Sequence, residues 1–249
     1  MESSNKIYKF KKPLLKGTML KRNSQFTATV KLNGETFTAH VATTNRLGDV
    51  NIKNIPCLLS YHSDKKRKYK YDIDAVLLSD DDNWVGINQI LSNRLVEFFL
   101  KTHQLEEMVE VEDEISREVQ LGKSKIDFKV GNTYIEVKTP LTIINVKYGK
   151  NIKTRKYPPF NGSERFEKHI KELTEALEEN EKAIILMVNQ YIPTEIKPHL
   201  KCTHYKRIKK IVRDAVDNGV EFWTLNLKFS PEGVSFHDLK ETTEEALNY

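Results

Sequence analysis

Asp127, Glu136 and Lys138 set two carboxylates and an ammonium close together in the sequence, a combination suited to binding a divalent cation. They lie in Ser124 to Lys138 (SKIDFKVGNTYIEVK), two alternating runs around Gly131-Asn132. That dipeptide suits a two-residue hairpin loop. With such a loop Val130 pairs with Thr133, and counting back sets Phe128 opposite Ile135, Asp127 opposite Glu136 and Ile126 opposite Val137. Ile126, Phe128, Ile135 and Val137 then share a buried face, and Asp127, Glu136 and Lys138 share the other. Two carboxylates facing each other across a ladder repel unless a cation lies between them. If Gly122-Lys123 is a second two-residue turn, Leu121 pairs with Ser124 and Glu118 falls opposite Asp127, giving three carboxylates in a row. Oxygen-only ligation suits Mg²⁺ or Mn²⁺. Such a cation polarises a phosphodiester and activates water, while Lys138 orients that water or neutralises developing charge. By spacing alone the same residues fit the solvated face of an amphipathic hairpin equally well; the opposition of Asp127 and Glu136 favours the metal.

Hydrophobic periodicity predicts the strands and helices that hold these residues. Residues 17 to 79 have strand character, with runs at Phe26 to Leu32, Thr36 to Ala42, Pro56 to Tyr61 and Tyr69 to Leu78. Asn33-Gly34 marks a type I′ hairpin between the first two. The run Asp80-Asp81-Asp82-Asn83 ends this pattern, and from Asn88 a helix begins, with Leu91, Leu95, Phe98, Phe99 and Thr102 on one face. The domain boundary is therefore expected near residue 83. Three short strands follow (Arg117 to Leu121, Ser124 to Val130, Thr133 to Thr139). Next come a basic loop and a helix with Phe166, Ile170, Leu173 and Leu177 as its stripe, capped by Ser163 or Asn161. Ala183 to Val188 reads as a strand covered on both faces. A helix with Ile208, Ile211, Val212, Ala215 and Val216 ends at Gly219, and Val220 to Leu227 is the last strand expected. The layout is a β-barrel or small sheet over 1–83 followed by an α/β sandwich over 84–249.

Composition bounds the function. With 39% apolar and 30% charged residues in 249, the chain is an ordinary globular one, without a transmembrane run or a secretory leader, and is expected in the cytoplasm. Cys57 and Cys202 lack metal-ligand spacing and read as buried free thiols, and His169, His199 and His204 show no ligand spacing to one another. The net charge of +5 is uneven. Residues 1–83 hold 15 Lys or Arg against 9 Asp or Glu, whereas residues 84–249 hold 25 against 26. Lys147 to Lys171 adds eight basic residues against two acidic ones, interleaved with Tyr148, Tyr157 and Phe160. In the first domain Lys65-Lys66-Arg67-Lys68, followed by Tyr69 and Tyr71, combines phosphate-seeking cations with rings able to stack on bases. The same stretch also fits a charged hairpin loop over tyrosines packed in a barrel. Arg165 and Lys168, at the start of a helix beside the proposed metal, could hold a phosphate.

Asp127 followed by Glu136-Val137-Lys138, in a helix, three strands, helix, strand order, resembles the PD-(D/E)XK nuclease superfamily. Ile87-Asn88, Asn93-Arg94-Leu95, Arg117-Glu118-Val119, Ser124 to Phe128, Tyr134 to Lys138, Ser163-Glu164-Arg165 and Lys168-His169 together resemble the sugar fermentation stimulation protein A (SfsA) family. Lys66 to Tyr69 and Asp217 to Phe222 extend the likeness across the chain. The chain departs from the family pattern after His40, where Val41 to Arg46 replaces a Pro-Asn-Thr-Gly segment. The resemblance implies an N-terminal OB-fold, a PD-(D/E)XK nuclease-like C-terminal domain of αβββαβ(αβ) order, and DNA binding. It also offers Glu97, on the first helix, as a further catalytic carboxylate. Two functions remain open: an Mg²⁺- or Mn²⁺-dependent nuclease acting on DNA, with RNA as a further substrate, or a DNA-binding regulator of sugar metabolism that keeps the fold without turnover. A homodimer is compatible with either.

Overall fold

A computed structural model of the protein describes residues 6–43, 46–110, 114–156, 164–175, 181–198 and 202–248, with the side chain of Arg165 outside the described set. Five strands form the first domain: β2 (Leu15–Ser24), β3 (Thr27–Leu32), β4 (Glu35–Val41), β5 (Ile55–Tyr61) and β6 (Tyr71–Leu77). Their order β4-β3-β2-β5-β6 is closed by parallel pairing of His40 with Asp72 and Val41 with Ile73, making the five-stranded closed barrel of an OB-fold. Both central residues of the β3–β4 turn have positive φ, Asn33 at 50° and Gly34 at 88°, as a type I′ turn requires. Met19, Ala28, Val30, Ala39, Val41, Leu59 and Ile73 fill the interior.

The two domains share one sheet. A short strand that the alternation did not disclose, β7 (Trp84–Gly86), pairs with β6 on one side and with β12 (Val220–Phe229) on the other. Gly86 is needed there, since a Cβ would lie 2.6 Å from Gln190 Cβ and 2.8 Å from the Phe229 ring. Beyond it run β11 (Lys182–Asn189), β10 (Thr133–Lys138), β9 (Ser124–Val130) and β8 (Ile115–Leu121), with β10, β11 and β12 parallel. Two further unforeseen strands, β1 (Ile7–Lys9) and β13 (Gly233–Glu241), pair with each other, and β13 lies against β12. α4 (Thr243–Leu247) follows β13.

Helices cover both faces. α1 (Gln89–Lys101) places Leu91, Leu95 and Phe99 in one core with Phe128, Ile135, Val137 and Leu186. On the opposite face α2 (Glu164–Glu175) and α3 (Tyr205–Asp217) bring Ile170, Leu173, Val212 and Ala215 against Ile126, Tyr134, Ile185 and Phe222. The central strands can be apolar on both sides because neither side meets water. Asn88 caps α1, its Oδ1 accepting from Ile90 N, and Gly219 follows α3 with φ at 86°. Tyr157, Phe160, Asn161, Ser163, Leu177 and His199 lie outside the described residues. The segment after β10 crosses back to the barrel and sets Leu141, Ile144 and Val146 in its core.

Candidate metal centre and nucleic-acid surfaces

The β9–β10 hairpin has the register that a two-residue Gly131-Asn132 loop dictates: Val130 with Thr133, Lys129 with Tyr134 and Phe128 with Ile135. There the ladder stops, and the side chain of Asp127 takes over from the backbone. Its Oδ2 accepts from Val137 N at 2.9 Å, and its Oδ1 accepts from Asn93 Nδ2 of α1 at 2.7 Å. The alternation also breaks at this point. Ile126, Phe128, Ile135 and Val137 are all buried, but Ile126 packs under α2 while Phe128, Ile135 and Val137 pack under α1.

Glu136 is 2% exposed, so this is no solvated hairpin face. Its Oε1 receives both Lys138 Nζ and the Nδ1 of His169, a buried residue of α2. Its Oε2 is buried without a hydrogen-bond partner among the described residues. Burial, followed by the charge on Glu136, pushes the Asp127 carboxyl above the ordinary carboxylate range, against the hydrogen bonds from Val137 and Asn93 and the charge on Lys138. A raised acid beside an unpartnered carboxylate oxygen is a concentration of negative charge that a divalent cation would relieve. Asp127, Glu136 and Lys138 are thus brought together, with Asn93 and His169 joining them. His169 comes from a helix 33 residues further along, and periodicity carried no sign of it.

Glu118 does not join the row. Leu121 pairs with Ser124 as counted, but Glu118 adopts φ of 52°, which turns its side chain outward to 71% exposure, with its Oε2 3.9 Å from Lys125 Nζ. Counting residues gave its position along the ladder but not its direction, because a left-handed residue breaks the alternation. Glu97 is likewise engaged elsewhere: it binds Lys101 at 2.6 Å and Arg117 at 2.7 Å. The hydrogen bond from Lys101, followed by the charge on Arg117, holds its carboxyl below the ordinary range against partial burial. One turn earlier on the same helix, Asn93 makes the contact to Asp127. Among the described residues no group of three or more His, Cys, Asp or Glu side chains is spaced to hold a metal. A cation here would take the two carboxylates and complete its shell with water and phosphate oxygens, as Mg²⁺ commonly does.

The basic run of the barrel divides. Lys66 and Lys68 are exposed, and Lys68 Nζ lies 5.4 Å from the centroid of the Tyr69 ring. Arg67 turns inward, its Nη2 2.7 and 2.8 Å from the two oxygens of buried Asp72, which His62 also contacts at 2.9 Å. Arg67 thus serves the barrel. Tyr71 packs on Phe37 at the barrel's end, with ring centroids 5.1 Å apart. Lys168 is exposed on α2, and its Nζ reaches Lys123 O at 3.3 Å. Arg165 lies in the same helix. Cys57 is buried and Cys202 half-buried, and both thiols are free. Among the described residues no helix is long and apolar enough to cross a membrane.

Comparison with known proteins adds to this geometry. Residues 20–87 match the family described as the SfsA N-terminal OB domain, and residues 90–233 match the sugar fermentation stimulation protein RE domain. Among curated relatives, sugar fermentation stimulation protein homologs of two Synechococcus strains are 33% and 31% identical, each alignment covering 91% of this chain and 92% of the relative. The homolog of Microcystis aeruginosa is 31% identical over 92% of this chain and 94% of its own. A solved structure of Pyrococcus furiosus SfsA in complex with Ca²⁺ superposes with a TM-score of 0.72 at 21% identity, covering 94% of this chain and 97% of that one.

Proposed function

The chain belongs to the sugar fermentation stimulation protein (SfsA) family, and we propose that it is a nucleic-acid-binding, divalent-metal-dependent nuclease whose centre is Asp127, Glu136 and Lys138. The observation that carries this reading is Glu136: a carboxylate 2% exposed, with Oε2 unpartnered, beside a second carboxylate held by two hydrogen bonds. Lys138 and His169 meet only Oε1, so the lone pairs of Oε2 beside the Asp127 carboxyl are left for a divalent cation. The Ca²⁺ complex of the Pyrococcus furiosus relative supports a hard, oxygen-seeking ion on this fold.

When bound, Mg²⁺ or Mn²⁺ supplies Lewis acidity toward a phosphodiester. Asp127 and Glu136 would hold it. Asn93 and Val137 N fix the Asp127 carboxylate. His169 holds Glu136 by Oε1, which leaves Oε2 as its free ligand atom. Lys138, whose Nζ also meets Oε1, would orient the attacking water or neutralise charge developing on the phosphoryl oxygens. Lys66 and Lys68 on the barrel, and Lys168 with Arg165 on α2, supply cations for the backbone of a nucleic acid, with DNA as the first substrate to test.

The test is cleavage of labelled single-stranded and duplex DNA, and of RNA, with Mg²⁺, Mn²⁺ or EDTA, comparing wild type with Glu136→Gln. Metal-dependent cleavage by wild type alone is expected. Absence of cleavage on every substrate, or equal cleavage by both proteins, contradicts the reading.

A further inference from the structure

Where the barrel meets α1, a recess of about 290 Å³ is lined by Phe26, His40, Ala42, Thr43, Gln89 and Ile90. We propose that it receives one unstacked nucleobase of a strand whose neighbouring phosphodiester lies at the Asp127–Glu136 centre; this rests on the nuclease reading above.

The recess is mostly apolar, and none of the described residues that line it is acidic. Phe26 is 47% exposed and Ile90 62% exposed, an uncovered aromatic ring and a branched aliphatic side chain on the lining of one hollow. Flipped or single-stranded bases are held between such groups. The volume is near the lower end of small-molecule sites, roughly 300 to 1,000 Å³, which suits a single ring system. His40 supplies a polar edge. Its Nδ1 is buried, 3.3 Å from Asp72 Oδ1, while the side chain is 28% exposed, so Nε2, on the opposite edge of the ring, is the nitrogen for the rim of a base.

The parts of the recess are tied in place. Arg22 Nη2 donates to Gln25 O at 2.5 Å and to Thr43 O at 2.8 Å, joining the turn that carries Phe26 to the chain leaving β4. Gln89 N donates to Ala42 O, and Asp74 accepts from Ser60 N of the barrel and from the α1 cap Asn88.

The recess also adjoins the centre. Ile90 and Asn93 are three residues apart on α1, and therefore neighbours on one face, about 4.5 Å along the axis. Ile90 lines the recess while Asn93 holds Asp127. Gln89 Nε2 reaches Thr139 O, directly after Lys138, at 3.3 Å. Arg94, exposed and one turn beyond Ile90 on the same helix, would serve as a cation for the neighbouring phosphate.

The test is an abasic scan. A single-stranded oligonucleotide of one sequence, cut with Mn²⁺, is made with an abasic site at each position in turn, and the cleavage rate is measured for wild type, Phe26→Ala and Phe26→Trp. Because Phe26 is exposed, neither substitution should disturb folding. The abasic site is expected to slow wild type about tenfold at one fixed position beside the cut. Phe26→Ala should slow the intact strand by a similar factor and show no further loss on that abasic strand, while Phe26→Trp restores the rate. Equal wild-type rates on all abasic strands, with the intact strand cut normally, would overturn the base site and leave the nuclease reading standing. A wild type that cuts no intact strand removes both. Light scattering supplies another contrary result: a wild-type dimer that Phe26→Ala converts to monomer would give the recess to a second copy of the chain.

Discussion

Asn93 Nδ2 donates to Asp127 Oδ1 at 2.7 Å, so the first helix of the second domain fixes an acid on a hairpin 34 residues further along. With Val137 N on the other oxygen, Asp127 cannot rotate freely, and its remaining lone pairs are aimed rather than averaged. Asn93→Ala should therefore weaken Mn²⁺ binding about tenfold while leaving the fold intact, as loss of a partner behind a metal ligand commonly does. Titration calorimetry measures it. Unchanged affinity would mean that Asp127 is held well enough by the backbone alone, or is no ligand.

The raised Asp127 carboxyl predicts a pH signature. An acid shifted upward by folding binds its proton in the folded chain before the unfolded one does. Its contribution to stability is thus fully present below about pH 3.9 and is lost as pH rises through the folded value. In metal-free buffer Asp127→Asn should melt above wild type near neutral pH, with the difference shrinking toward about pH 4. A turn of the Asn93 amide lets it accept from the new amide. Thermal denaturation in EDTA at two pH values decides; a difference that grows on acidification contradicts the account.

Glu97 offers a contrast. Its carboxylate is shared between Lys101 and Arg117, so Glu97→Gln should leave Mn²⁺ affinity unchanged within about twofold, losing only surface ion pairs worth about 0.5 kcal/mol. A large drop in affinity would return Glu97 to the metal site.

The barrel's basic run should divide under mutation as it does in space. Charge reversal at Lys66 and Lys68 should lower affinity for nucleic acid and flatten its dependence on salt, without a change in melting temperature. Arg67→Ala should instead cost about 2 kcal/mol of stability, because it strips a charged partner from buried Asp72. If the lysine variant keeps the wild-type salt slope, the barrel's loop does not meet the phosphate backbone.

What was legible in the sequence follows the range of the interactions. Asn33-Gly34, Gly131-Asn132 and Gly219 announced their turns because positive φ is a local demand that few residues meet. The hairpin register followed from loop length, and the αβββαβαβ order from the change of period. Nothing local told of His169 on Glu136, of Asn93 on Asp127 or of Arg67 on Asp72, since each pairing is made by packing between elements. Glu118 shows the complementary failure: the register held on both sides of it, Val119 with Ile126 and Arg117 with Phe128, and one left-handed residue turned the side chain away. β7 is three residues long, too short for any period, yet it joins the two domains into one sheet.

Lys138→Ala is the sharpest probe of catalysis at this centre, because it spares both proposed ligands. If Lys138 acts on charge that develops only in the transition state, the variant should cleave about a hundredfold more slowly while binding Mn²⁺ and nucleic acid nearly as wild type does. Single-turnover cleavage, affinity and melting temperature on the same two samples separate the roles. Wild-type cleavage that persists at full rate in Lys138→Ala, or a loss of binding and stability in step with activity, would contradict a catalytic lysine at this centre.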